Sequence, residues 1–136
     1  MESTDFDQAR SYLARARQAL DTTHGSRPRE AIALLRRVLW GVIKRDLLQW
    51  GLDARNVQQA RQMVAAMVVY ARREPVFRGH LQLLALLAVL EDRLVFQQGE
   101  LAWQAWRRDA LALVERLHGT LDAPAEHRAV PLSATA

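Results

Sequence analysis

The sequence predicts an all-α fold: a single antiparallel helical bundle of about five helices with a disordered C-terminal tail. Three observations carry this. Nearly every segment between glycines and prolines repeats its apolar residues every 3.6 positions. No stretch alternates apolar and polar residues with the period of two that a strand needs. The connections are short, so consecutive helices must fold back as antiparallel neighbours. At 136 residues the chain is expected to make one domain with a continuous core, over residues 1–120, with 121–136 as the tail.

The first helix is expected from about Thr4 to Asp21, capped by Ser3 or Thr4, with Ala9, Tyr12, Leu13, Ala16 and Leu20 on one face. After the connection "TTHGSRP", Pro28 suits the opening turn of a second helix with Ser26 as cap, and Gly51 stops it after Trp50. At 100° per residue, Ala31, Leu34, Leu35, Val38, Leu39 and Val42 form its core face. Asp53 can cap a third helix reaching about Arg73, with Val57, Ala60, Met63, Val64, Met67 and Tyr70 on one side, until Pro75 breaks it.

A fourth helix is expected over Phe77 to Gln97. Its stretch "LQLLALLAVL" is apolar at every position but Gln82, which implies a helix surrounded by others or one that also meets a second copy of the chain. The fifth, Glu100 to His118, sets Trp103, Trp106, Ala110, Leu113, Val114 and Leu117 opposite Arg108 and Glu115, and Gly119 should end it. The small, polar, proline-containing "TLDAPAEHRAVPLSATA" completes the chain as the expected tail.

Composition narrows the chemistry. With no cysteine, disulfides, thiolate metal sites and cysteine nucleophiles are excluded. The net charge of +4 permits an anionic partner without demanding one. Neither a secretory signal nor an apolar run of roughly 18–20 residues is present, so a cytoplasmic protein without a membrane partner is expected. Glycine-rich nucleotide turns and a G-x-S-x-G elbow are missing, and no cofactor or metal is expected.

Three constellations remain. On the second helix, Arg29, Arg36, Arg37 and Lys44 surround Trp40 on the arc opposite the core. Cations around an indole suit RNA, by phosphate pairing and base stacking; the other reading is a solvated charged face whose tryptophan is covered by a neighbouring helix or a second subunit. Asp46 lies nearer the apolar side and needs a partner if buried, with Arg15, Arg17 and Arg93 as the candidates; if the helix frays there, Asp46 is solvated instead. Finally, Arg73 and His80 stand six residues apart across Pro75. A guanidinium and an imidazole so placed can share one phosphodiester, one stabilising charge and the other moving a proton.

The order "ARSYLARARQAL", then "REAIALLRRVLWGVIKRDLLQWGL", then R-x6-H at Arg73 and His80 resembles the HEPN superfamily of small helical bundles, over about residues 8–97. The resemblance implies a dimeric, metal-independent ribonuclease or an inactive RNA-binding relative, with Arg73 and His80 as the catalytic pair. The residues themselves favour a non-catalytic binding or assembly module, homodimeric through the fourth helix or the Trp40 region. The HEPN-type RNA-binding protein or endoribonuclease is the alternative, and an adaptor holding a partner's amphipathic helix is a third.

Overall fold

The computed structural model describes residues 8–21, 27–96 and 99–122. Among these, five α-helices and one 3-10 turn make up the regular structure: α1 (Ala9–Ala19), α2 (Pro28–Gln49), the 3-10 turn (Asn56–Gln58), α3 (Ala60–Tyr70), α4 (Pro75–Phe96) and α5 (Gly99–Asp122). The fold is the expected all-α bundle. The proposed caps at Ser3, Thr4 and Ser26, and the tail from residue 123 onward, lie outside the described residues.

Helix α2 is the central element and packs against all four other helices. Its six predicted core residues are buried, and so are Ile32, Ile43, Asp46 and Leu47, because a helix with neighbours on several sides buries more than one stripe. Pro28 sits in its first turn, where the missing N–H costs nothing. Gly51 follows its end with φ 84°, the left-handed conformation that closes helices and that a Cβ disfavours. On α1, all five predicted core residues are buried.

Three boundaries differ from the sequence reading. Asp53 does not open a single third helix; its carboxylate accepts the Arg55 N–H at 2.9 Å ahead of the 3-10 turn, and the α-helix starts only at Ala60. Val57 is therefore buried from the turn, while Ala60 is exposed at the helix start. Helix α4 begins at Pro75 rather than Phe77, since proline is tolerated in a first turn. Helix α5 passes through Gly119, with no change of hand there, and continues to Asp122. The extra turn buries Leu121 and brings Asp122 to 2.6 Å from Arg10 on α1.

Between α4 and α5 the buried Trp106 donates its indole N–H to the Leu90 carbonyl at 2.7 Å and stacks on Trp103, with ring centroids 5.4 Å apart. At the other end of α4, Phe77 meets Trp50 and Tyr70 at 6.0 and 5.5 Å. No described helix is long and apolar enough to cross a membrane.

Candidate functional site

The most unusual chemistry of the bundle lies between α2 and α4. Asp46 is 0% exposed and His80 is 2% exposed, and His80 Nε2 lies 2.7 Å from Asp46 Oδ2. Arg45 completes the group, its Nε donating to Asp46 Oδ1 at 2.9 Å from a side chain that is mostly covered. Burial by itself would raise the Asp46 pKa. The hydrogen bonds from His80 and Arg45, with their positive charge, outweigh it and hold the carboxyl below its usual value. Asp46 is thus an ionised acceptor, and it must receive a proton from His80 Nε2.

This corrects the expected partners of Asp46. Arg17 instead pairs with Glu115, Arg93 reaches Asp109 at 2.7 Å, and Arg15 lies near the Tyr12 ring. The sequence did hold a signal for the true pairing. His80 falls at core spacing on α4, between Phe77 and Leu83, and Asp46 falls on the core side of α2. Two polar residues on the apolar faces of adjacent helices are driven to find each other, because neither can be buried alone.

Of the proposed catalytic pair, His80 is turned into the bundle toward Asp46, whereas Arg73 is exposed on the turn before α4. No hydrogen bond joins them among the described residues.

The cationic arc of α2 is distributed among partners. Arg36 bonds to Glu91 of α4, Arg37 lies over the Tyr12 ring of α1 at 4.6 Å, and Trp40 is half-buried against the core. Arg29 is exposed and Lys44 half-buried. The indole that was to serve as a stacking platform is thus partly covered by the bundle itself.

The outer face of α4 and α5 is of a different kind. Leu86 and Val89 are 41% and 51% exposed, Phe96 is 77% and Leu101 82%. Leu86, Val89 and Phe96 share one stripe of α4 with Arg93, whose ion pair to Asp109 crosses to α5. Two shallow grooves of about 340 and 200 Å³ flank that ion pair. Val89 and Arg93 line both, with Ala102 and Ala105 in one and Ala112 in the other. A third groove, near His80, continues the furrow toward the start of α4.

Comparison with known proteins found no matching family profile, curated protein or solved structure. The function must therefore be argued from these surfaces.

Proposed function

We propose that this chain is a non-catalytic binding and assembly module that pairs with a second copy of itself through the outer face of α4 and α5. The observation that supports it is the stripe of Leu86, Val89 and Phe96, extended by Leu101, in which large apolar side chains stand in water. Isolated exposed apolar residues are ordinary; a contiguous set on one face is what interfaces present. The stripe runs about 15 Å along α4 and the face is two helices wide, roughly 20 Å, which is below the ~800 Å² per partner of a standard interface and belongs to the small, reversible class. The Arg93–Asp109 ion pair on this face is already neutralised within the chain, so burying that pair adds no uncompensated charge of its own.

Sedimentation equilibrium of the full chain tests this. A dimer is expected, converted to a folded monomer by Val89→Glu; a wild-type monomer at working concentration overturns the proposal. The HEPN-type ribonuclease needs Arg73 and His80 on one phosphate. The inward aim of His80 weighs against it, and we do not propose cleavage by this pair.

A further inference from the structure

Helix α3 has an outward face that no described helix covers. It packs on α2 and α4 through the buried Met63 and Met67. At 100° per residue the opposite arc holds Arg61, Ala65, Val68, Val69 and Arg72, with Arg73 at its edge, and all six are exposed. Val68 and Val69 are 51% and 62% exposed in spite of their apolar side chains. The arc therefore runs cation, apolar, cation, its arginine ends about 16 Å apart along the axis.

Local helix stability does not explain this arc. Valine is a poorer helix former than alanine or the straight-chain polar residues that suit an exposed position. Arg61 stands in the first turn, at the positive end of the helix dipole, where a cation is unfavourable; only Arg72 and Arg73 suit the end they occupy. No ion pair or hydrogen bond joins the guanidinium groups of Arg61, Arg72 or Arg73 to another described residue, and α3 itself contains no acid. Arg78 adds a further cation at the C-terminal end by donating to the Ala71 carbonyl. The acids nearest in sequence are engaged, Asp53 by Arg55 at 3.1 Å and Glu74 by the Val76 N–H at 3.5 Å.

The charge pattern decides what can cover the face. Paired head to tail with its own copy, it would set Arg61 against Arg72; paired in parallel, it would set each arginine against itself. Like charges meet in both arrangements, so a second copy does not fit. Against a bilayer, Ala65 and two valines are too short to reach below the headgroups as Trp, Phe or Leu do. Against a nucleic-acid strand, the arc offers no aromatic ring for a base to stack on. A partner helix answers all three parts, since Ala65 permits close approach and carboxylates match the arginines. We propose that the outer face of α3 docks an acidic amphipathic helix of a different protein. Its apolar stripe lies on Ala65, Val68 and Val69, and its carboxylates lie on Arg61 at one end and on Arg72 with Arg73 at the other. The site is separate from the self-association face, which α4 and α5 provide.

The test is fluorescence anisotropy of the full chain with a labelled, lactam-bridged helical peptide of about 18 residues, with glutamates at both ends of one face and leucines between them. Two control peptides carry lysine for glutamate or serine for leucine. The acidic peptide should bind saturably with a Kd below about 100 µM, and both controls at least about tenfold more weakly. Val69→Asp should abolish binding while circular dichroism shows the helices intact. Arg61→Glu combined with Arg72→Glu should reverse the preference toward the lysine peptide, an exchange that loss of fold cannot produce. Val89→Glu, on the association face, should leave the Kd unchanged. No saturable binding at about 1 mM acidic peptide, equal binding of either control, a preference that survives the charge reversal, or a Kd altered by Val89→Glu would overturn the proposal. Tighter binding to phosphatidylserine vesicles or to single-stranded oligouridylate than to the acidic peptide would overturn it too, and would assign the face to that partner.

Discussion

Replacing Asp46 by alanine should be among the most damaging single changes in this bundle. The substitution leaves His80, 2% exposed, and the mostly covered Arg45 facing a void. Breaking a buried ion pair from one side costs about 3–5 kcal/mol. The lower end applies here, because Arg45 is close enough to the surface to swing toward water. At about 4 °C per kcal/mol for a chain of this length, a loss of about 3 kcal/mol lowers the melting temperature by roughly 12 °C. Urea unfolding followed by circular dichroism measures it, with Asp46→Leu combined with His80→Leu as the comparison. The double change removes both polar groups and should recover most of the loss, since well-packed apolar replacements of buried ion pairs are often neutral.

The same pair predicts an acid limb. The folded pKa of Asp46 lies below its ordinary value of 3.8. Its contribution to stability is therefore complete above that value and disappears as pH falls through the lower folded one. The stability gap between wild type and Asp46→Asn should stay level from pH 7 down to about 4 and close below it. A cost of Asp46→Ala under about 1 kcal/mol, the range of solvent-exposed ion pairs, would refute the reasoning, as would a gap that closes near neutrality.

Two further substitutions test the backbone and the core. Glycine to alanine should have opposite signs at two positions: Gly51→Ala loses about 1 kcal/mol because φ is 84° there, and Gly119→Ala gains up to about 1 kcal/mol inside a helix with free space around it. Melting curves of the two variants decide it, and a shift of the same sign in both contradicts the geometry. Trp106→Phe removes a buried indole and leaves the Leu90 carbonyl without its donor, a loss of about 2 kcal/mol by urea titration. A loss under about 0.5 kcal/mol, as for a surface position, would place that tryptophan outside the core.

The helices were legible in the sequence because their signals are local. Pro28 and Gly51 bracket α2 as capping chemistry dictates, and the apolar stripes of α1, α2 and α5 occupy the core as their periods require. Gly119 misled for an equally local reason: glycine ends a helix only where the chain turns left-handed, and here burial of Leu121 and the Arg10–Asp122 contact favour another turn. The polar partnerships were legible only as a need: Asp46 and His80 each fall at core spacing and each requires a partner, but neither position names the other. Which cation meets Asp46 depends on how α4 lies across α2, a relation between positions 34 residues apart that no helical wheel contains. Wheel arguments likewise put Trp40 opposite the core without showing how far the neighbouring helices reach around α2.

Helix α4 shows why one element can serve two roles without conflict. Its inner side is fixed by Phe77, His80, Leu83, Leu87 and Leu90, which repeat at helical spacing and are held by α2, α3 and α5. Its outer side changes along the length from the groove beside His80 to the apolar stripe ending at Phe96. Phe96→Asp should therefore lower association, read by sedimentation equilibrium, and leave the stability of the folded monomer within about 0.5 kcal/mol of wild type, as at a surface position. A large loss of stability in that variant would place Phe96 in the core and not on the interface.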